Sequence, residues 1–289
     1  MASQARHPRL ASHRLHIPIP VALLRLDLLH HIHPQPRGIT QAEAALADDE
    51  AQALGGGQTL IPTLKQRLAS PSKLVCLSGI EELKGISRDG DTLTIGGGTT
   101  HGTIARETAE GFPGLAGLAS KIGDPAVRNR GTIGGSLANN DPSACYPAAA
   151  MACGATIVTN SREIAADEYF QGMFATALEE GEIITAVKFP VPESSAYIKF
   201  EQPASRFPLV GVFVAKYADR VGVGVTGASE EGVFRWTEAE AALGGNFAES
   251  ALEGLSVSGD GMIGDLHGTG AYRAHLVGVM TRRAVAAAR

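Results

Sequence analysis

Residues 124–147 read DPAVRNRGTIGGSLANNDPSACYP, and the rest of the chain is best interpreted around this stretch. The stretch is too polar and too rich in Gly, Asn and Pro for an ordinary strand or helix, so it predicts a loop. Gly134 and Gly135 lack a Cβ atom, which allows backbone N–H groups to come close to a ligand. Successive N–H groups in a turn form a concavity that binds anions. The stretch therefore predicts a phosphate-binding loop.

Two further glycine runs carry hydroxyl and amide side chains like those of the central stretch. Residues 55–59 read GGGQT, and residues 96–101 read GGGTTH. One glycine run alone is more often a turn than a ligand site, but two such loops favour a clamp on the two phosphates of a dinucleotide. His101 has three open interpretations: a base, a covalent attachment point, or a residue that begins the next helix and caps it or lines the site.

The composition limits the classes of protein that fit. The chain has 289 residues, enough for two or three domains, and 44% of them are hydrophobic, which indicates a globular protein. Its net charge is −5, and the body of the chain has no long basic block. Aromatic residues make up only 5%, so stacking platforms for single strands are scarce. These features argue against nucleic acid as the main partner.

The cysteines and the hydropathy of the chain predict the cellular compartment in which the protein works. Cys76, Cys145 and Cys153 form no CxxC pair, and they cannot hold an iron–sulfur cluster or structural zinc by themselves. Their odd number does not fit a disulfide framework. No apolar run reaches the length of a membrane-spanning helix, and prolines break residues 17–29, which therefore do not predict a signal peptide. We expect a reducing cytoplasm.

Residues 1–37 differ in composition from the rest of the chain. They are rich in Arg, His and Pro, and their first acidic residue is Asp27. His30, His31 and His33 lie close together, but no Asp, Glu or Cys completes a metal-ligand set with them. We therefore interpret this arm as poorly ordered or as packing at an edge of the fold.

Hydrophobic periodicity and turn residues predict short helices and strands in both halves of the chain. Pro190 and Pro192 predict the boundary between two domains. The predicted helices are 41–47, 62–68, 104–110, 111–119, 147–153, 237–243, 248–255 and 272–288. The predicted strands are 51–54, 74–77, 92–95, 155–159 and 182–189, followed by an antiparallel sheet of 196–201, 210–219 and 220–228.

Three common fingerprints of nucleotide and hydrolase sites fail in this chain. Leu60 stands where GxGxxG requires its third glycine. No glycine precedes a Lys-Ser or Lys-Thr pair, so GxxxxGK(S/T) is absent. Ala138 replaces the last glycine of GxSxG around Ser136. The nicotinamide-binding, nucleotide-hydrolase and serine-hydrolase interpretations are therefore weak, and another class of flavin fold is favoured.

Four segments together resemble one family. They read GGGQTLIPTLKQRLASPSKLV from residue 55, IGGGTTHGTIA from residue 95, IGDPAVRNRGTIGGSLANNDPSACYPA from residue 122 and EIITAVKFPVP from residue 182. In this order they are similar to the medium, FAD-binding subunit of molybdenum hydroxylases, the group of carbon-monoxide dehydrogenase and xanthine dehydrogenase. The resemblance covers about residues 38–289, and its signature TIGGxxANxDP is far more specific than a lone glycine run.

The resemblance implies an α+β fold. We expect an FAD-binding domain of the vanillyl-alcohol-oxidase (PCMH) type over residues 38–190. We expect a C-terminal domain of the CO-dehydrogenase flavoprotein type over residues 193–289, with a three-stranded antiparallel sheet and helices. The family usually begins with Tyr-x-Arg-Pro, which the atypical arm at residues 1–37 lacks. Our hypothesis for this arm is a wrong start or a shifted reading frame.

The resemblance also implies which residues bind FAD. Residues 55–59 and 132–135 would bind its pyrophosphate, and residues 99–101 would line the same cleft. The residues expected at the cofactor site are Leu54, Gly55, Gly56, Gly57, Gln58, Thr59, Leu60, Gly98, Thr99, Thr100, His101, Ile122, Gly123, Asp124, Val127, Arg128, Gly131, Thr132, Ile133, Gly134, Gly135, Ser136, Asn139, Asp141, Ile184 and Lys199. For each polar residue, holding the loop shape competes with ligand contact. For Arg128 and Arg130, a solvated or interface role also competes.

The family's chemistry then implies the cofactors and partners. Electrons leave a substrate at a molybdenum cofactor, cross two 2Fe–2S clusters, reach noncovalent FAD and pass to an acceptor. This chain carries neither the clusters nor the molybdenum site, so we expect a small iron–sulfur subunit and a large molybdenum subunit, in a dimer of heterotrimers. No cysteine-rich insert follows Ala119, so we expect no 4Fe–4S cluster. A self-sufficient FAD oxidase of the same fold and a scaffold without flavin stay as alternatives.

Overall fold

The computed structural model of the protein describes residues 35–288. The cluster of His30, His31 and His33 lies outside these residues, as does most of the atypical arm. The helices are α1 (Ile39–Leu46), α2 (Leu60–Lys65), α3 (His101–Glu107), α4 (Pro113–Ser120), α5 (Pro125–Arg128), α6 (Ile133–Asn139), α7 (Tyr146–Cys153), α8 (Ala166–Tyr169), α9 (Thr237–Gly245) and α10 (Gly270–Ala287), with 3-10 turns at Leu77–Gly79, Glu81–Leu83 and Glu249–Leu252. The strands are β1 (Ala51–Leu54), β2 (Lys73–Cys76), β3 (Ile86–Asp89), β4 (Thr92–Gly96), β5 (Thr156–Thr159), β6 (Glu163–Ala165), β7 (Phe170–Gly172), β8 (Ala175–Thr176), β9 (Ile184–Pro190), β10 (Ser194–Glu201), β11 (Pro208–Lys216), β12 (Val221–Ser229) and β13 (Gly232–Arg235).

Side-chain caps and prolines fix where the helices around the glycine runs begin. Thr100, Asp124 and Thr132 each accept a hydrogen bond from the backbone N–H three residues further on, at the start of α3, α5 and α6. Pro113 and Pro125 stand at the first positions of α4 and α5, where the missing N–H of proline has no intrahelical partner to lose. These local signals explain why short helices form in glycine-rich sequence.

Two larger sheets organise the chain. The first is a five-stranded antiparallel sheet of order β3-β4-β9-β5-β6, so the late strand β9 lies between β4 and β5. The second is a four-stranded antiparallel sheet that follows the chain order from β10 to β13. β1 and β2 form a separate parallel pair, and β7 and β8 form a short antiparallel hairpin. The predicted α+β fold is thereby confirmed.

Strand β12 shows how sequence alternation joins the two halves of the molecule. Residues 221–225 read VGVGV, and the three valines belong to the apolar core that contains α9 and α10. Gly222 and Gly224 face the other way, onto α7, where an added Cβ would overlap the carbonyl oxygens of Ala152 and Ala148 respectively. Side chains alternate between the faces of a strand, so this pattern buries valine on one face and brings a helix backbone against the other.

The apolar core is continuous across the two larger sheets. Its main cluster contains residues of β4, β5 and β9, of helices α3, α4, α6 and α7, and also Tyr197 and Phe213 from the C-terminal sheet. A second cluster fills the opposite face of the C-terminal sheet under α9 and α10. A third, smaller cluster lies between α1, β2 and Ile183. Helix α7 is therefore central, since it contacts both halves.

Three predictions of local structure are corrected. The central stretch is not all loop: Pro125–Arg128 and Ile133–Asn139 are helical, because caps at Asp124 and Thr132 offset the low helix propensity of glycine. The C-terminal sheet has four strands rather than three, since Gly232–Arg235 pairs with β12. The predicted helix at 248–255 is only a 3-10 turn at Glu249–Leu252.

Within residues 35–288, no helix is both long enough and apolar enough to cross a membrane.

Candidate functional site

A cleft of about 1230 Å³ is walled by the three glycine runs and closed on one side by the C-terminal sheet. Almost all the residues predicted to contact a cofactor line it. The lining residues among them are Leu54, Gly55, Gly56, Gly57, Gln58, Thr59, Leu60, Gly98, Thr99, Thr100, His101, Ile122, Gly123, Val127, Gly131, Thr132, Gly134, Gly135, Ser136, Asn139, Asp141, Ile184 and Lys199. Segments up to 145 residues apart in the chain, from Leu54 to Lys199, therefore meet at one cavity.

The glycine runs pack backbone to backbone, and this packing itself requires glycine. The N–H of Gly134 donates to the carbonyl oxygen of Gly97 at 2.8 Å, and the N–H of Ile133 donates to that of Thr99 at 3.2 Å. A Cβ added at Gly134 would lie only 2.7 Å from the Gly97 oxygen. One added at Gly131 would lie 2.6 Å from Nε2 of His101. Close approach of chain segments thus explains these glycines without any ligand.

The first turn of α6 has its backbone donors satisfied within the protein. Besides the two bonds from Ile133 and Gly134, the N–H of Gly135 donates to Thr132 Oγ1 at 3.2 Å, and the N–H of Ser136 donates to the Thr132 carbonyl at 3.0 Å. The N–H groups of Ile133, Gly134 and Gly135 are therefore not free to bind a phosphate, and pyrophosphate binding by residues 132–135 stays a prediction. The polar groups that this turn presents to the cleft are the hydroxyls of Thr132 and Ser136.

Residues 56–59 differ, because their backbone donors are unused. In the part of the chain that the structure describes, the N–H groups of these four residues donate to no protein acceptor. Gly57 turns the chain with a φ of +71°. The backbone of Gly56 lies so close to the carbonyl of Arg130 that an added Cβ would overlap it. Successive free N–H groups around a left-handed glycine form a concave site for an anion.

His101 is a buried, neutral imidazole in the wall of the cleft. It is 5% exposed, and its Nδ1 lies 3.2 Å from Oη of Tyr146. Burial, helped by the positive charge of Arg128, lowers the pKa of His101 from 6.5 to about 4. Its backbone N–H donates to Gly131, and it is the first residue of α3, whose cap is Thr100. Of the three interpretations, a residue that begins the helix and lines the site agrees with this placement.

Lys199 brings a buried positive charge to the C-terminal side of the cleft. Its side chain is 1% exposed. Its Nζ donates to the carbonyl oxygens of Lys121 at 2.7 Å and Arg206 at 2.6 Å, and lies 3.8 Å from Oε1 of Glu201. The ammonium therefore joins the end of α4 to the loop between β10 and β11 while it faces the cleft.

Three predicted residues do not line the cleft but hold its walls. Asp124 caps α5 through a 2.9 Å bond from the N–H of Val127. Arg128 donates through Nη1 to the carbonyls of Ile122 at 3.1 Å and Gly123 at 2.9 Å. Ile133 is fully buried in the main apolar cluster. For these residues the geometry favours the shape-holding interpretation, whereas Arg130 does line the cleft.

Several lining residues were missed by the sequence analysis. Gly97 precedes the predicted residue Gly98 in the same glycine run, so the prediction could have included it. Cys145 lies inside the central stretch, three residues after Pro142. Phe174, Arg206 and Phe207 come from two turns without any motif, and their place at the cleft depends on tertiary structure alone.

Comparison with known proteins gives the family. The model of a family described as the FAD binding domain in molybdopterin dehydrogenase matches residues 33–192. The carbon monoxide dehydrogenase medium chain of Afipia carboxidovorans is 33% identical to this chain, over 87% of this chain and 94% of its own. The nicotine 6-hydroxylase medium subunit of Paenarthrobacter nicotinovorans is 32% identical, over 88% of this chain and 95% of its own.

Solved structures support the same family assignment. A chain of carbon monoxide dehydrogenase from Hydrogenophaga pseudoflava superposes with a TM-score of 0.79 and 31% identity, covering 89% of this chain and 96% of that chain. A chain of quinoline 2-oxidoreductase from Pseudomonas putida 86 superposes with a TM-score of 0.78 and 28% identity, covering 88% and 94%. The family match covers more than half of the sequence, and the relatives align over nearly their full lengths. The chain thus belongs to the FAD-binding medium subunits of the molybdenum hydroxylases, and it is a subunit of an FAD-dependent oxidoreductase.

Proposed function

We propose that this subunit takes electrons from the 2Fe–2S clusters of a partner and passes them through noncovalent FAD to an external acceptor. The observation that carries the proposal is the row of unused N–H groups at residues 56–59 inside a cleft large enough for a dinucleotide. Family membership identifies that dinucleotide as FAD. The acceptor meets the flavin at the cleft, and the substrate is oxidised elsewhere in the complex.

The residues present fit FAD. A pyrophosphate would accept hydrogen bonds from the N–H groups of residues 56–59, as anions do at backbone nests. Hydroxyls of Thr132 and Ser136 would complete this site from the opposite wall. When bound, FAD supplies the redox chemistry, and the chain supplies orientation and electrostatics. The neutral His101 and the buried Lys199 would then place one uncharged and one positive group beside the cofactor.

The chain's own groups have a limited set of tasks in this function. Lys199 would favour negative charge on a reduced cofactor, because a preorganised cation in a water-poor site stabilises developing charge. The backbone hydrogen bonds from Gly134 to Gly97 and from Ile133 to Thr99 would hold these two glycine runs against each other and so fix the wall of the cleft. No residue of this chain is needed as a proton donor or acceptor for electron transfer, so we assign no catalytic residue.

We further propose the arrangement of domains and subunits. Residues 38–190 form the FAD-binding domain, and residues 193–289 form the C-terminal domain. The chain works with a small iron–sulfur subunit and a large molybdenum subunit as a dimer of heterotrimers. The relatives' printed names as medium chains or medium subunits support a complex with smaller and larger partners. The three cysteines Cys76, Cys145 and Cys153 are free thiols, which supports a reducing cytoplasm.

The test begins with the absorption spectrum of the purified full chain and of the supernatant after acid precipitation. Flavin bands that leave with the supernatant are expected for noncovalent FAD. The chain is then co-purified with its partners, reduced anaerobically through the substrate of the complex, and mixed with NAD, a quinone or oxygen. Reoxidation of the flavin by one of them supports the proposal. Substrate oxidation by the isolated chain would instead support a self-sufficient oxidase, and a chain that binds no FAD alone or in the complex would refute the proposal.

A further inference from the structure

Phe174 stands at the rim of the cleft in an unfavourable conformation. Its φ is +57°, in the left-handed region where a bulky side chain is rare. The residue is also 63% exposed, although it lines the cleft. A strained backbone and an apolar ring in water both oppose folding. Strain that persists at a cleft points to a role in ligand contact.

Asn140 imposes this conformation on Phe174. Its carbonyl oxygen accepts a 3.0 Å hydrogen bond from the N–H of Phe174. Its Nδ2 donates to the carbonyls of Gly172 and Ala175, at 2.8 Å each, on the two sides of the turn that carries Phe174. Asn140 is 3% exposed and itself has a φ of +41°. The turn between β7 and β8 is therefore fixed to the C-terminal end of α6 by three hydrogen bonds.

The position of this turn indicates which part of FAD it meets. Thr132 at the start of α6 lies beside Gly55, close to the diphosphate donors, whereas Asn140 ends the helix. Seven helical residues span about 10 Å, so Phe174 lies well away from the diphosphate. From Asn140 the chain continues along the cleft to Cys145. Burial raises the pKa of the Cys145 thiol, and the positive charge of Lys199 opposes this rise.

The end of the cleft between Asn140 and Cys145 suits the isoalloxazine ring better than adenine. Reduction adds negative charge to an isoalloxazine, and the buried ammonium of Lys199 stabilises such charge. Adenine does not change charge in the reaction. Aromatic side chains pair favourably with planar rings in offset or edge-to-face geometry, which an exposed phenylalanine at the rim can adopt.

We propose that Phe174 packs its ring against the isoalloxazine of bound FAD, and that Asn140 is the positioning residue that holds it there. The inference rests on the proposed function, since it assumes FAD in the cleft. It adds a contact from the β7–β8 turn, which carries no glycine motif and gave no signal in the sequence.

The experiment compares the affinities of FAD and ADP for the full chain after removal of any bound flavin, by calorimetric titration. ADP keeps the diphosphate and adenine but lacks the isoalloxazine. For Phe174→Ala we expect about tenfold weaker FAD binding and unchanged ADP binding, since one aromatic pair contributes about a factor of ten. Phe174→Gly is expected to weaken FAD equally without lowering the melting temperature of the apo-protein, because glycine adopts a positive φ without strain.

Two further variants complete the test. Asn140→Gly keeps the left-handed backbone but removes the amide, and we expect it to weaken FAD binding several-fold with ADP binding unchanged. Phe200→Ala is the matched control: Phe200 is 38% exposed, does not line the cleft and packs against Tyr272, so FAD binding should not change. Unchanged FAD binding in Phe174→Ala, or equal losses of FAD and ADP, would overturn the inference. Wild-type chain that binds ADP and FAD equally would also overturn it, whereas wild-type chain that binds neither ligand, alone or in the complex with its partners, would refute the proposed function as well.

Discussion

The ammonium of Lys199 donates a 2.7 Å hydrogen bond to the carbonyl oxygen of Lys121, 78 residues earlier in the chain. Lys121 follows the last residue of α4, and Lys199 lies in β10 of the C-terminal sheet. A second bond from the same Nζ reaches Arg206 in the next loop. One buried side chain therefore joins the two halves of the molecule at the edge of the cleft.

Replacing this side chain should affect both stability and the cofactor. Lys199→Met keeps the apolar stem but leaves the carbonyls of Lys121 and Arg206 unpaired, so we expect a loss of about 1–3 kcal/mol in the free energy of unfolding. The midpoint potential of bound FAD should fall, because a positive charge that favours the reduced cofactor is removed. Urea unfolding and a spectroscopic redox titration measure the two effects. Lys188→Met, at an exposed pair with Glu163, should change stability by less than about 1 kcal/mol.

The packing of β12 on α7 predicts a steep cost for one added methyl group. In Gly224→Ala the new Cβ would overlap the carbonyl oxygen of Ala148, and neither backbone can move freely because both residues are buried. We expect a loss of about 1–3 kcal/mol or more in the free energy of unfolding, as for an overpacked core. Gly244→Ala, in helix α9 with open space around it, should be neutral or stabilising by up to about 1 kcal/mol. Equal unfolding midpoints for the two variants would contradict this account.

The unused donors at residues 56–59 predict a different result for the first glycine run. Gly56→Ala places a Cβ on the carbonyl of Arg130, which must push residues 56–59 away from the opposite wall. We expect FAD and ADP binding to weaken together, by about tenfold or more, because the lost contacts are to the diphosphate. Calorimetric titration with both ligands measures this. Gly117→Ala, in α4 with no atom near the added Cβ, is the matched control and should bind both ligands as the wild type does.

Local sequence signals were sufficient where a strand runs into a glycine run. The predicted strand at 51–54 is observed with the same bounds, because apolar residues stop at the first glycine. The composition of two glycine runs predicts a dinucleotide clamp, and the resemblance to the family places the third run at the same cleft.

The roles of individual residues could not be predicted because they depend on tertiary hydrogen bonds. Sequence gives no sign that the donors of Ile133 and Gly134 are used by Thr99 and Gly97 while those of residues 56–59 stay free. The strand Gly232–Arg235 was missed because it is short and its pairing with β12 is irregular. Phe174 was missed because its exposure to the cleft depends on Asn140, 34 residues earlier in the chain.

The depressed pKa of His101 predicts acid-sensitive stability. The imidazole takes up a proton at about pH 6.5 when unfolded but only near pH 4 when folded, so between these values the unfolded state binds more protons. Stability contributed by the neutral ring is therefore complete above pH 6.5 and is lost as the pH falls towards 4. From pH 7 to pH 5 we expect a loss of about 2 kcal/mol in the free energy of unfolding, measured by urea unfolding. In His101→Gln, which cannot titrate, this part of the pH dependence should disappear, and an unchanged dependence would show that the ring does not cause it.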